Sequence, residues 1–396
     1  MLIAAQAFER NSLRVMGLAG FASMASMRLC DPMLVVLGQE FQVTTGEASL
    51  VISSFAVAYG VLQLFYGPLG DRFGKLRVIS FAVLACAVFS AITSLASDLG
   101  LLVIMRVFMG AAAAGIVPLS MAWIGDQVAY DRRQETLAKL MGFTVSGMMA
   151  GLWFGGFAAE HLGWRNAFAL VSALFASAAF LLWRLRRSLP TAATTAHPGA
   201  TGFVAYFANT LQMLRVARVR QVLAVTAVEG ALVFGPLAFI PTHLQQQFNM
   251  GVVMAGSVMM LYGVGGLVYS QMARRWMAWL GGERGLVKVG VSFIVLGLLI
   301  LGWAKQPALG MLGCFANGFG FYMLHNTMQV QATQMAPASR GTAVTLFASL
   351  LFFGQSSGVL LMAVTVDHGW LPHAFSVAAL GLAVLGVFVH RLVGRN

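Results

Sequence analysis

Apolar residues in this chain come in long runs rather than in alternation. About twelve stretches of roughly 20 predominantly apolar residues, enough to cross the hydrocarbon core of a bilayer, follow one another with short polar interruptions. They fall near 15–38, 48–69, 77–97, 101–124, 139–160 and 165–185, then near 221–243, 252–274, 286–304, 307–331, 341–364 and 371–393. The pattern predicts an all-α membrane protein with twelve transmembrane helices. Between the two sets lies Arg186 to Arg220. Its Ala/Thr/Pro stretch, Ser188 to Gly199, reads as a polar linker, and Gln212–Arg220 as a basic amphipathic piece. The chain thus divides into a six-helix half at 1–187, a linker at 188–219 and a second half at 220–396. Gly163-Trp164-Arg165-Asn166-Ala167-Phe168 opens the sixth run and Gly369-Trp370-Leu371-Pro372-His373-Ala374-Phe375 the twelfth. Gly-Trp and Ala-Phe recur there with one extra residue between them, which reads as duplication into two pseudo-symmetric bundles. The interfacial preference of tryptophan would account for the Trp alone.

Composition removes the soluble alternative. Of 396 residues, 59% are hydrophobic and 10% charged, whereas a solvated surface calls for about 25% charged. The mean hydropathy is +0.81. A net charge of +12 invites a nucleic-acid partner until the charges are placed. All but Arg28, Arg106, Arg165 and Lys305 lie near alternate loops or the termini, among them Arg132, Arg184, Arg187, Arg274, Lys288 and Arg391. The intervening loops carry Glu40, Glu47, Asp98, Glu160 and Asp367. Cytoplasmic loops keep an excess of Lys and Arg, so both termini are expected in the cytoplasm and no nucleic acid is implied. Cys30, Cys86 and Cys314 sit in apolar runs, with spacing that fits neither a metal site nor a disulfide framework. Met1 to Arg14 lacks the pattern of a cleavable leader.

The strongest local signal joins the second and third runs: Gly67-Pro68-Leu69-Gly70-Asp71-Arg72-Phe73-Gly74-Lys75-Leu76-Arg77. Gly70 and Gly74 permit a tight turn, and the basic residues suit an anionic leaflet. The loop resembles the signature of the major facilitator superfamily, Gly-x-Leu-x-Asp-Arg-x-Gly-Arg/Lys. The resemblance implies two six-helix bundles around one site, opened alternately to either side. It also implies that Gly67, Gly70, Asp71, Arg72, Gly74 and Lys75 govern the conformational switch. In that family the carboxylate sits at the start of the eleventh span, where the helix dipole favours it; here that span begins near Arg340, a candidate partner for Asp71. The matching loop of the second half, Ser270-Gln271-Met272-Ala273-Arg274-Arg275, lacks the acid, so any latch is one-sided.

Two further features extend the resemblance toward the drug/proton antiporters. Arg106, in the fourth run, precedes the small-residue stretch Gly110 to Gly115. An arginine at such depth costs roughly 2.5 kcal/mol or more and faces a partner or a watery cavity, unless it snorkels to the interface. The fifth run carries Gly142, Ser146, Gly147, Gly151, Gly155 and Gly156. Glycine every fourth residue makes a groove for a neighbouring helix. Gly147, Gly151, Gly155 and Gly156 are similar to the antiporter motif, except that Gly151-Leu152 stands where the family has Gly-Pro. A packing seam unrelated to the direction of transport is the plainer reading.

Few acids fall within the runs. Arg28 and Asp31 lie three apart on one face of the first run, next to the helix-breaking Pro32. Resemblance to the antiporters points to Asp31 as proton acceptor, tuned by Arg28 and Arg106; a permanent Arg28–Asp31 ion pair is the alternative. Glu229, about two turns off from being the counterpart of Asp31, would bind a cationic substrate, carry a second proton or pair with a polar neighbour. His325 would serve in a proton relay or as a hydrogen-bonded pore liner, with Asn326 and Gln329 beside it. Tyr59, Trp153, Phe234, Tyr262 and Tyr322 are candidates to line a substrate cavity. Asp126, Asp131 and Glu135 are expected to pair with Arg132, Arg133 and Lys139.

The sequence reading is therefore a monomeric, proton-coupled exporter of small amphipathic or cationic molecules in a bacterial inner membrane, in contact with lipid. No phosphate loop, catalytic triad or metal cluster suggests an enzyme or a cofactor. Export of a dedicated metabolite, import of a nutrient, and a membrane ligand sensor remain open.

Overall fold

The structure, a computed structural model, describes residues 2–187 and 203–393, with the side chains at 2–10, 130–131, 203–205 and 338 outside the description. The Ala/Thr/Pro linker and the Asp131 side chain lie outside the described residues. Within them the chain is all helix. The first half runs α1 (Leu2–Arg28), α2 (Leu34–Phe41), α3 (Thr45–Ala48), α4 (Leu50–Phe73), α5 (Lys75–Thr93), α6 (Leu99–Ala113), α7 (Ile116–Gln127), α8 (Tyr130–His161) and α9 (Trp164–Arg187). A connecting helix, α10 (Phe203–Met213), leads to α11 (Ala217–Phe248), α12 (Val252–Trp279), α13 (Glu283–Trp303), α14 (Pro307–Gln334), α15 (Arg340–Asp367) and α16 (Leu371–Val393). Twelve of the resulting segments are long and apolar enough to cross a membrane. The expected basic piece at 212–220 is divided between the end of α10 and the start of α11.

Each span is helical because hydrocarbon offers no partner to a free peptide group, so every backbone bond must close within its own segment. Departures from that rule are local. In the first span α1 stops at Arg28, a 3₁₀ turn covers Asp31–Met33, and α2 resumes at Leu34. Pro32 is responsible, since it has no N–H to continue the ladder. The fourth span is interrupted between α6 and α7, and the Tyr66 hydroxyl donates to the freed carbonyls of Ala111 and Ala112 at 3.0 and 3.1 Å. Pro236 and Pro241, by contrast, lie inside a continuous α11.

Glycine sets how closely spans approach. A Cβ on Gly151 would stand 2.7 Å from the Cα of Ala25, and one on Gly147 the same distance from the Cα of Phe21. Gly155 meets Leu29 and Pro32 in the same way. These glycines of α8 therefore press its backbone onto α1. The second half repeats the device: Gly354 and Gly358 of α15 lie against Ala227 and Ala231 of α11. Each half thus joins its first and fifth spans along a glycine seam. Gly147, Gly151 and Gly155 therefore act as packing residues here, whatever the direction of transport. Gly156 instead meets Val252 and Val253 of α12, across the two halves.

The halves touch along α4–α15 and α8–α12, but not evenly. Toward the end away from the basic loops, Gly46 packs on Ala363 and Asp367 and Gly256 on Leu152, while Gly60 meets Ser349 near mid-span. At the end that carries the basic loops, a Cβ on Gly67, Gly142 or Gly341 would meet nothing within 4 Å. The bundle is closed at one end and parted at the basic end.

Gly151→Ala and Gly142→Ala are expected to act in opposite directions, although they lie on one helix. The first forces α1 and α8 apart, a destabilisation of about 1–3 kcal/mol. The second fills open space and gains about 0.5–1 kcal/mol of helix propensity. Thermal unfolding of the purified protein in detergent checks the signs; equal shifts would mean that α1 and α8 are not in close contact.

Candidate functional site

The break in the first span positions the charged cluster. With α1 ending at Arg28 and the 3₁₀ turn opening at Asp31, both side chains project from the interruption and are buried. Arg28 Nη1 lies 3.2 Å from Asp31 Oδ2. Asp31 Oδ1 and Arg28 Nε have no hydrogen-bond partner among the described residues, so the pair is not closed on itself. The interruption also frees the Pro32 carbonyl, which accepts from Gln245 Nε2 of α11 at 3.3 Å.

Arg106 reaches the same region from α6. It is fully buried and does not snorkel. Its Nη1 donates to the Ser26 carbonyl at 3.0 Å and its Nε to the Val51 carbonyl at 2.9 Å, with the guanidinium 4.2 Å above the Phe55 ring. Ser26 lies in the last turn of α1, where carbonyls lack helical partners. Arg106 therefore ties α1 to α4 and serves the backbone rather than a carboxylate. Sequence reasoning missed these acceptors, because main-chain carbonyls leave no mark on residue type.

From the second half, Glu229 of α11 is fully buried, and its Oε1 lies 3.2 Å from His325 Nδ1 of α14. Two side chains read separately in the sequence thus form one pair. Glu229 Oε2 and the Tyr262 hydroxyl are buried without partners. Aromatic rings join this pair to Arg28. The Arg28 guanidinium stands 4.9 Å over Phe234, Phe234 meets Phe321 edge-on at 5.1 Å, and Phe321 stacks on His325 at 4.9 Å. Tyr262 packs on Phe321 at 5.9 Å, within electrostatic reach of both Arg28 and Glu229. The result is a buried site between the halves, with a cation and an anion at its edges, an aromatic wall, and polar atoms still able to bond. Phe321 has the largest share of this wall, and its place beside His325 in the sequence was the available signal.

Other expected residues land elsewhere. Trp153 is 40% exposed and stacks on Phe157. It follows Gly151 by two residues, about 200° around the helix, so the seam that holds α8 on α1 turns this ring outward. Asn326 bonds to Tyr269 within the second half. Tyr322 covers Gly266 of α12. Gln329, one turn beyond His325, is exposed toward the parted end. Tyr59 fills the α4–α15 contact, 4.4 Å from Phe352.

The signature loop is held within its own half. Asp71 lies 3.2 Å from Lys75, and Lys75 Nζ donates to Asp126 Oδ2 of α7 at 2.6 Å. Lys75 is thus the ion-pair partner of Asp71 in this state, where Arg340 at the start of α15 was the candidate. Lys75 also takes Asp126, and Glu135 pairs with Lys139 at 2.5 Å as expected. Gly74, at φ +89°, makes the turn, Gly70 packs on Leu119, and Arg72 is exposed.

A cleft of about 650 Å³ opens elsewhere, on the outside of the second half among α11, α15 and α16. Its lining is apolar apart from Thr365 and His373, and it holds none of the charged cluster.

Comparison with known proteins agrees with this architecture. Residues 16–359 match the model of the Major Facilitator Superfamily. An uncharacterized transporter from Buchnera aphidicola subsp. Schizaphis graminum is 23% identical over 350 residues, 86% of this chain and 81% of that protein. The crystal structure of the nucleoside transporter NupG superposes with a TM-score of 0.74 at 14% identity, covering 98% of this chain and 99% of the other. A bacterial homologue of the human lysosomal transporter Spinster, crystallised inward-facing and unoccupied, gives 0.77 at 14% identity over 98% and 97%. With twelve spans in two halves, its signature loop between the second and third and a family match over most of its length, the chain belongs to the major facilitator superfamily of membrane transporters.

Proposed function

We propose that this protein is a proton-coupled exporter of small amphipathic or cationic molecules, working by alternating access as a monomer in a bacterial inner membrane. The observation that carries the reading is the Arg28–Asp31 pair, buried at a helix break between the halves with one atom of each group unpartnered. Asp31 takes the proton. While ionised it is held by Arg28; once protonated it releases Arg28, and the change of charge is felt at the seam between the halves. Arg106 fixes the last turn of α1 so that the pair stays at the seam. Glu229, His325, Phe234 and Tyr262 receive the substrate, with Gln329 toward the entrance. Asp71, Arg72, Lys75 and Arg340 act in the switch at the basic end.

Under the positive-inside rule the basic end faces the cytoplasm, both termini lie there, and the described state is open inward. The bond between Glu229 and His325 also favours a second reading, a dedicated polar metabolite carried outward or inward, because a paired acid and histidine select more sharply than an apolar pocket. A ligand sensor on the same scaffold would bind without moving substrate.

Proteoliposomes holding a pH-sensitive dye, an imposed proton gradient and a substrate panel test the coupling. Proton release on substrate addition is expected in the wild type and lost in Asp31→Asn. Transport that ignores the gradient would end the proton-coupled reading.

For Glu229→Gln, the half-saturating concentration of a cationic substrate is expected to rise about tenfold, the effect of losing one charge-assisted hydrogen bond, with proton coupling retained. Unchanged affinity would take Glu229 out of the substrate site.

A further inference from the structure

We infer that the closed end of the bundle is latched by two carboxylates, Asp367 and Glu160, each closing the fifth span of its half onto the second span of the other half. Asp367, the last residue of α15, accepts from the Thr44 hydroxyl at 2.7 Å and from the Gly46 N–H at 2.8 Å, where the second span begins. Glu160, in the last turn of α8, accepts from the Val253 N–H at 2.9 Å, where the eighth span begins. In fold position the two contacts are counterparts. Both also rely on a glycine: a Cβ on Gly46 would collide with Asp367, and one on Gly251 would stand 3.2 Å from Glu160 Oε2.

Each acid is misplaced within its own helix. A carboxylate at a helix C-terminus faces the negative end of the macrodipole, whereas at an N-terminus it is stabilised. Asp98, at the same end of the bundle, shows the ordinary arrangement: it caps its own α6, and the Leu101 N–H holds its carboxyl below the usual carboxylate range. Asp367 and Glu160 find the equivalent donors only across the halves. When the halves part at this end, both lose those donors and remain at an unfavourable helix end. Their placement therefore favours the closed state specifically, unlike an apolar contact that lipid or water replaces without preference.

The same helix pair makes the latch reciprocal. α15 caps the start of the second span at the closed end; at the other end Asp71, near the close of α4, is paired with Lys75 while the halves are apart. The closed end has two such caps, whereas the basic end offers one acid in this position. The inequality biases the resting protein toward the described state.

The test reads conformation rather than transport, so it stands or falls independently of proton coupling. In a background with Cys30, Cys86 and Cys314 replaced by Ala, single reporters Ser53→Cys, buried near the closed end, and Gln329→Cys, exposed near the parted end, are labelled in vesicles. A membrane-impermeant maleimide is applied from the side each reporter approaches. Asp367→Asn and Glu160→Gln are each expected to speed Ser53→Cys labelling about three- to tenfold, with the factors multiplying in the double variant. Labelling of Gln329→Cys is expected to slow in parallel, because opening one end closes the other. Unchanged Ser53→Cys labelling in the double variant would overturn the latch. So would faster labelling of both reporters, which marks a loosened fold rather than a shifted equilibrium.

Discussion

The site depends on a single constraint: within a bilayer a peptide group without a partner is too costly to leave exposed, so polar chemistry collects where a helix is interrupted. Pro32 stops the first span, and the consequences follow in order. Arg28 and Asp31 become adjacent at the break, Gln245 reaches across the halves for the Pro32 carbonyl, and Arg106 enters the apolar interior to take the Ser26 carbonyl. The interruption of the fourth span is served in the same way by Tyr66. Arg106 thus owes its burial to the main chain, which explains why it stands near Asp31 without pairing with it.

Glycine supplies the complementary condition. Lipid is as apolar as leucine, so spans associate through close contact rather than through a hydrophobic drive. Gly147, Gly151 and Gly155 on one side, and Gly354 and Gly358 on the other, weld the first and fifth spans of each half into rigid units. The seams between the halves are of another kind. They combine small-residue contact with a few hydrogen bonds such as Ser356 to Ser53 and Val253 to Glu160, which the proposed alternation of open ends would exchange. Rigid halves and exchangeable seams are what alternating exposure of one site requires. In the proposed latch, acids at the ends of spans would bias that exchange, because their energy depends on which helix terminus they face.

Much of this was legible in the chain. Twelve apolar runs, alternating basic and acidic loops, the Gly67–Arg77 turn and the Pro32 break all follow from local composition, since hydrocarbon thickness fixes run length and the missing N–H of proline breaks a helix wherever it falls without support. Pro236 marks the limit of that rule: it lies in a continuous helix, and the sequence offers no sign of the difference. The pairing of Glu229 with His325 was equally hidden, because 96 residues separate them and only helix packing brings α11 to α14. Trp153 was misjudged for a related reason, since a candidate list of aromatics carries no information about which face of α8 the glycines commit to α1.

The sequence by itself thus determined the number of spans, their grouping into halves and the identity of the few charges that had to be buried, because each of these rests on run length, charge placement or the cost of a charge in hydrocarbon. The tertiary structure alone decided the partners of those charges: Ser26 and Val51 for Arg106, His325 for Glu229, Lys75 rather than Arg340 for Asp71, and Thr44 and Gly46 for Asp367. A partner is a matter of which helix faces meet and which end of the bundle is closed. Both depend on contacts between residues far apart in the chain, where neither hydropathy nor spacing carries a signal.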